Sequence, residues 1–405
     1  MSDSPLNATP SASAGSLPYS GIRVVEFTHM VMGPSCGLML ADLGAEVIKV
    51  EPVGHGRNGD ATRQLLGSGA GFFPLFNRNK KSLTLDLQTP EGREAALRLI
   101  ATADVVTENF KPGTMKKLGL DYESLRQRFP RLIYVSHKGF LPGPYEHRTA
   151  LDEVVQMMGG LAYMTGRPGD PLRAGTSVND IMGGMFGAMG AMAALAQREK
   201  TGKGQEVQSA LFENNVFLIA QHMMQYAVTG KPAAPMPARI SAWAIYDVFE
   251  ARDGEQIFLA VVSDGAWREF CNAFDLAELR DDPRLASNNE RVLARSWLIP
   301  LLRETMAGYS ATHIARVFEE RGLPFAPIAR PHDLLDDEHL NATGALAPIE
   351  LPDGRASKTV LLPLTLDGKH LEVRLSPPKL GEHSLDILST LGYTPEQAQA
   401  LSQGQ

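Results

Sequence analysis

The chain has 405 residues, about 2.7 times the roughly 150 residues of a typical domain, so two domains or one large domain with an excursion are expected. Hydrophobic residues make up 43% and charged residues 21% of the chain, which excludes disordered and fibrous proteins. The formal net charge of -7 opposes broad contact with nucleic acids or anionic membranes, so an anionic ligand must be held by a local basic cluster.

Strands and helices alternate through the first third of the chain. The predicted strands are 22–27, 46–51, 82–87, 104–107 and 132–136, and the predicted helices are 34–43, 90–101 and 122–128. This alternation predicts a doubly wound parallel sheet. The segment 151–229 is largely helical, with a short strand at 206–209.

The second half of the chain changes in composition. A Pro/Ala-rich segment at 230–239 indicates a linker, and a hairpin (244–249 and 256–262) followed by helices at 264–274, 288–309 and 311–321 indicates a small α+β domain. A last helix begins at Thr394, where Pro395 and Glu396 are typical of a first turn. We therefore expect a flexible tail (1–19), a large domain (20–229), a small domain (230–339) and a final segment (340–405).

Cysteines and apolar runs bear on location. Cys36 and Cys271 cannot form a disulfide framework, and Cys36 is best explained by packing. The first 19 residues resemble neither a signal nor a transit peptide. The uncharged, glycine-rich stretch 181–197 has 17 residues, short of the ~20 apolar residues that span a bilayer. We expect a cytoplasmic protein without a membrane anchor.

Two common kinds of site are not expected. The turn at 28–37 lacks the G-x-G-x-x-G pattern of dinucleotide-binding proteins. His332 and His339 lie seven positions apart, too far on a helix to share one metal ion. We therefore expect no metal and no nicotinamide or flavin cofactor.

Asp180 precedes a stripe of glycines. Gly183, Gly187 and Gly190 share one face of a predicted helix, so another backbone or a ligand can approach closely. The alternative for Asp180 is a simple helix N-cap.

Basic residues follow a second pattern. Arg78, Lys80 and Lys81, then Lys111, Lys116 and Lys117, then Lys138 each lie next to a predicted strand end. If these three loops converge at one edge of the sheet, they form an anion site. Solvated surface charge is the alternative.

These segments resemble the class III CoA-transferases, a family that includes carnitine and bile-acid CoA-transferases and α-methylacyl-CoA racemases. The matching segments are 21–52, 77–87, 108–125, 131–140, 179–207 and 377–401. The resemblance implies a large α/β domain completed by the C-terminal segment, a smaller domain, and a homodimer of two interlocked rings.

The resemblance also implies roles for residues. Asp180 matches the family nucleophile, which would form an anhydride and then an aspartyl-CoA thioester, and helix N-terminal amides would favour the developing oxyanions. No cofactor beyond CoA is implied. The implied CoA contacts are Met30, Val31, Asn77, Arg78, Asn79, Lys80, Asn109, Phe110, Lys111, Lys117, Lys138, Gly139 and Phe140.

The substrate is less well defined. The segment 141–166 resembles branches acting on C4–C5 dicarboxylates such as mesaconyl- or succinyl-CoA. A distal carboxylate needs a cationic partner, for which Arg148, Arg173 and Arg239 are candidates, surface exposure being the alternative for each. A racemase is the second hypothesis and a non-catalytic CoA-binding protein the third. Racemases carry a His where this chain has Leu151, which argues against a racemase, and Asp180 argues against a non-catalytic protein.

Overall fold

The computed structural model describes residues 17–238 and 241–404. The chain divides into two compact units: one runs to Pro237 and resumes at Asn341, and the other spans Ala238–Leu340. The expected tail 1–19 lies mostly outside the described residues, as does Arg239.

The strands and helices are as follows. The strands are β1 (Arg23–Phe27), β2 (Glu46–Gly54), β3 (Arg57–Asn58), β4 (Lys80–Leu85), β5 (Val105–Glu108), β6 (Ile133–Lys138), β7 (Glu206–Ala210), β8 (Ile245–Glu250), β9 (Gln256–Val261), β10 (Phe325–Pro327), β11 (Leu346–Glu350), β12 (Ala356–Val360), β13 (Thr365–Leu366) and β14 (Lys369–His370). The α-helices are α1 (Met32–Asp42), α2 (Phe72–Phe76), α3 (Pro90–Ile100), α4 (Thr114–Leu118), α5 (Tyr122–Arg126), α6 (Asp152–Met158), α7 (Leu161–Thr165), α8 (Val178–Thr201), α9 (Leu211–Thr229), α10 (Asp264–Ala273), α11 (Ala277–Arg280), α12 (Asn288–Leu293), α13 (Arg295–Met306), α14 (Ala311–Glu320), α15 (Glu338–Ala342), α16 (Ser384–Thr390) and α17 (Pro395–Gln403).

The larger unit is built on a parallel sheet of order β4-β2-β1-β5-β6-β7, with β3 added antiparallel to β2. The chain builds outward from β1 to β4, then returns to the other side of β1 at β5. Helices α1 and α8 cover one face, and α3, α16 and α17 cover the other. The predicted doubly wound sheet is confirmed, and its switch point lies between β1 and β5.

Two element predictions differ from the structure. β4 begins at Lys80, two residues earlier than predicted, because the charged side chain of Lys80 is buried and paired inside the protein. The predicted helix 288–309 is two helices that meet at Ala294. The last helix does begin after Thr394, which forms a capping box with Gln397.

The smaller unit has the predicted hairpin. Strands β10, β9 and β8 form an antiparallel sheet. Apolar side chains of α10, α13 and α14 bury its inner face around Phe270 and Phe318.

Candidate active site

The loop after β1 lies at the switch point of the sheet, where ligands bind in open α/β folds. Met30 in this loop has φ 63°, a conformation that costs energy for a residue with a side chain. Asn109, just after β5, holds the loop: its side chain accepts from the His29 amide (2.9 Å) and donates to the His29 carbonyl (2.7 Å). The buried ammonium group of Lys49 also donates to the Thr28 carbonyl (2.8 Å). The amide of Asn109 is therefore committed to positioning the loop.

Asp180 lies in the first turn of α8. The N-cap of this helix is Ser177, whose side chain makes no capping bond, so the N-cap interpretation of Asp180 is wrong. The cap comes from α6, where the Asp152 carboxylate accepts from the amides of Asn179 (2.7 Å) and Asp180 (3.0 Å).

We expected the amides at the start of α8 to stabilise an oxyanion, but its first amides are already hydrogen-bonded. The amides of Asn179 and Asp180 bind Asp152. The amides of Val178 and Ile181 donate to the carbonyls of Thr176 and Ser177. Those four N–H groups already have partners inside the chain.

The electrostatic environment of Asp180 favours its protonated form. Burial, and after it the neighbouring carboxylates of Asp152 and Glu153, together raise its pKa to about 7. Among the described residues its own carboxylate has no hydrogen bond or ion pair. An unpaired carboxylate of this kind is suited to nucleophilic or general-base chemistry near neutral pH.

The glycine stripe of α8 packs against the chain itself. A Cβ at Gly184 would lie 2.6 Å from the Met32 carbonyl oxygen, so α8 crosses α1 in close backbone contact. Gly183, Gly187 and Gly190 face side chains rather than an open groove. Ile181, next to Asp180, packs against the apolar cluster of Val31, Leu38 and Phe76. The first turn of α8 is thereby fixed beside the switch-point loop.

Three lysines line a cleft beside the carboxyl ends of β5 and β6. Lys111, Lys116 and Lys138 line this space of about 170 Å³ together with the carboxylates of Glu108, Asp121 and Glu206. Lys138 pairs with Glu108 (3.0 Å). Lys117, which the sequence singled out, does not line the cleft, and its neighbour Lys116 does.

The remaining basic segment lies at the other edge of the sheet. Residues 77–79 precede β4, and Lys80, its first residue, pairs with Val47 near the start of β2. The predicted convergence of three loops at one edge is therefore wrong for this loop. Arg78 pairs with Asp42 (2.7 Å) and Lys80 with Glu26 (2.8 Å), all four side chains being buried. Asn77 and Asn79 are buried beside them. Both cations are therefore already paired with carboxylates inside the protein.

The candidate substrate arginines differ in their surroundings. Arg148 is exposed and stacks over Tyr145 (4.0 Å). Tyr145 in turn packs edge-on against Phe140, beside Gly139. Arg173 is bound to Glu153, which uses its charge locally. Arg239 lies outside the described residues.

Comparisons with known proteins bear on this arrangement. A sequence profile for CoA-transferase family III matches residues 19–384. The chain belongs to CoA-transferase family III. A CaiB/BaiF family protein from Brucella suis has the same fold, with a TM-score of 0.83 and 36% identity, covering 93% of this chain and 99% of its own.

Two curated relatives of this family III enzyme are named for dicarboxylic acids. The succinate–glutarate CoA-transferase of Agrobacterium fabrum is 35% identical over 92% of this chain and 96% of its own. The succinyl-CoA:mesaconate CoA-transferase of Haloarcula hispanica is also 35% identical, over 92% and 96%. In the described part of the chain, no helix is long and apolar enough to cross a membrane.

One residue of the site, Asp152, is missing from the predictions made from the sequence. An acid near a helix start is a recognisable signal. Its partner is the start of a different helix, 28 residues away, which no local pattern reveals. Lys116 could be told from Lys117 only by the direction in which α4 turns.

Proposed function

We propose that this family III enzyme transfers CoA between carboxylic acids, with Asp180 as nucleophile and a C4–C5 dicarboxylic acyl-CoA as donor. The observation that carries this proposal is the unpaired, partly buried carboxylate of Asp180, with a pKa of about 7, beside the switch-point loop. The relatives named for succinate, glutarate and mesaconate support the substrate class.

The reaction needs two exchanges at Asp180. Its carboxylate attacks the donor thioester, the C–S bond breaks, and an anhydride and CoA thiolate form. The thiolate attacks the aspartyl carbonyl, releasing the donor acid and leaving an aspartyl-CoA thioester. The acceptor carboxylate then repeats both steps in reverse, which regenerates Asp180 and gives the new acyl-CoA. Every bond broken is matched by one formed, without a redox step.

The cleft lined by Lys111, Lys116 and Lys138 is the candidate site for the phosphates of CoA, because Lys111 and Lys116 have no ion pair with the described residues. Lysine side chains pair with phosphate through charge, and the overall charge of -7 makes such a local cluster necessary. Lys117 is exposed next to it. The elongated CoA molecule would run from this cleft past Met30 and Val31 to Asp180.

Arg148 is the best candidate to bind a distal carboxylate. It has no ion pair with the described residues and is stacked on an aromatic ring, which orients its guanidinium group for a bidentate contact. Arg173 would first have to release Glu153.

Exposed apolar side chains support a homodimer. In this chain alone Phe217 is 67%, Met224 62% and Val228 80% exposed on α9, and Met189 on α8 is 56% exposed. Such a patch is typical of a protein–protein interface. Light scattering should give twice the 43.9 kDa mass of one chain, in keeping with the interlocked dimer of the family.

A screen of acyl-CoA donors against carboxylic acid acceptors, read by mass spectrometry, tests the function. We expect succinyl-, glutaryl- or mesaconyl-CoA to react far better than butyryl-CoA, and Asp180→Ala to abolish transfer while the protein stays folded. Oxalate and acetate belong in the same screen. If butyryl-CoA reacts as well as succinyl-CoA, the dicarboxylate substrate is wrong; if Asp180→Ala retains activity, the nucleophile is wrong.

The racemase hypothesis is less well supported. Leu151, where racemases carry a His, is the N-cap residue of α6 and is exposed, and a leucine cannot move a proton. Deuterium exchange at the α-carbon of 2-methylacyl-CoA would support racemase activity, and its absence would exclude it.

A further inference from the structure

The amino terminus of α8 is capped from outside by Asp152. One carboxylate oxygen, Oδ2, accepts both the Asn179 and the Asp180 amides. An anion here also offsets the positive end of the helix dipole. Asp180 is in the same first turn, so it competes with Asp152 for the same donors.

Asp152 is itself held in place by a buried chain of hydrogen bonds. Its other oxygen is bound by the side-chain amide of Gln156, and the Gln156 carbonyl accepts from the Ala174 amide (2.8 Å). Asp152 is 5% and Gln156 1% exposed. A buried carboxylate with three donors is fixed in one orientation.

We propose that Asp152 is a positioning residue for CoA transfer: it fixes the first turn of α8 and occupies its amides, so that the Asp180 carboxylate stays unbonded and free to attack the thioester. This role rests on the proposed function of Asp180. Without Asp152, the free amides would bind the Asp180 carboxylate and make it a weaker nucleophile.

The charges around Asp180 agree with this role. Burial is the largest cause of the raised pKa of Asp180, and Asp152 and Glu153 of α6 raise this pKa as well. Arg173, in the loop before α8, is bound to Glu153. The elements packed against α8 carry further titratable or charged groups. On α1, burial raises the thiol pKa of Cys36 to about 12, and Asp42 is paired with Arg78. On β6, burial lowers the pKa of His137 to about 3, Lys138 is paired with Glu108, and the Tyr134 hydroxyl donates to the Leu120 carbonyl. β7 carries Glu206, and α9 carries Glu213, which accepts from the Leu141 amide, together with His222 and Tyr226.

The test is a direct titration of Asp180, independent of turnover. Protein labelled with ¹³C at aspartate carboxyls is titrated by NMR, and the Asp180 signal is assigned by its loss in Asp180→Asn. We expect a midpoint near pH 7, which Asp152→Asn lowers by about one unit, a tenfold change in proton affinity. Asp152→Ser, whose shorter and uncharged side chain leaves the Asn179 and Asp180 amides without their acceptor, should lower it similarly. Asp152→Glu should keep it close to that of the wild type.

Controls and kinetics separate positioning from simple structure. Glu123→Gln, on exposed α5, should leave the midpoint unchanged. In Asp152→Asn the acidic limb of the pH profile of kcat/KM should shift to lower pH by the same amount as the Asp180 midpoint. The decrease in kcat should be larger than the increase in the KM for acyl-CoA. An unchanged Asp180 midpoint in folded Asp152→Asn or Asp152→Ser would overturn the proposal.

Two further outcomes keep the proposals separable. If neither Asp152 variant folds, Gln156→Ala decides: a lower kcat at constant KM supports the role, and unchanged kcat overturns it. A wild-type protein that shows the Asp180 titration and its shift but transfers no CoA overturns the transfer function alone.

Discussion

Two sets of cations lie at opposite ends of the strands of the same sheet. One set is buried and paired, and the other lines a cleft. Arg78, just before β4, and Lys80, its first residue, are buried and paired with Asp42 and Glu26. Lys111 and Lys138, after β5 and at the end of β6, line an open cleft. In the sequence both sets look like basic loops beside strands. The difference teaches that a residue's position before or after a parallel strand decides whether it can serve the ligand edge.

Lys80→Ala should have the largest effect in this comparison. Removing the lysine leaves the Glu26 carboxylate buried with only Lys49, at 3.5 Å, and breaking a buried pair costs about 3–5 kcal/mol. We expect the free energy of unfolding, from urea titration, to fall by that amount. Lys111→Ala, the control in the cleft, should change the free energy of unfolding by less than about 0.5 kcal/mol. An equal decrease in both variants would contradict the difference between the two sets of cations.

The second prediction sets the unpaired carboxylate of Asp180 against the paired ones. Because its pKa is raised to about 7, Asp180 is protonated and inactive as pH falls below 7. The kcat/KM should drop about tenfold per pH unit there, or roughly a hundredfold at pH 5. A kcat/KM that stays constant from pH 5 to 8 would show that Asp180 titrates outside this pH range or does not take part in the reaction.

The same shift gives a stability effect with a defined sign. Between its ordinary value near 4 and about 7, Asp180 binds a proton in the folded state but not in the unfolded state, so stability falls as pH rises through this window. Asp180→Asn should therefore have a higher Tm than the wild type at pH 8 and a similar Tm at pH 4. Differential scanning fluorimetry at both values checks this, and an equal difference at the two pH values would contradict it.

Lys138→Ala should have the smallest effect. Lys138 lines the cleft but is already paired with Glu108, so its loss should raise the KM for acyl-CoA about tenfold, or about 1.4 kcal/mol, with little change in kcat. Lys203→Ala, an exposed lysine just before β7, is the matched control at the opposite edge. A KM that rises equally in both variants would mean that the cleft does not bind CoA.

The sheet could be predicted from the sequence because alternating apolar strands and helices have a simple physical signature. Asp180 emerged by resemblance, since a lone acid at a helix start is ordinary in itself. The burial of Lys80 could not be predicted, because its partner Glu26 is 54 residues away. The Asp152 cap escaped for the same reason: its hydrogen bonds join two helices that only the folded chain brings together.

The central claim is that Asp180 carries CoA during transfer. Protein mixed with succinyl-CoA and no acceptor, then treated with hydroxylamine or borohydride and digested, tests it by peptide mass spectrometry. We predict a modified peptide with the change at Asp180, absent from Asp180→Asn and from samples given free CoA. An unmodified Asp180 peptide in protein that is transferring CoA would contradict the account.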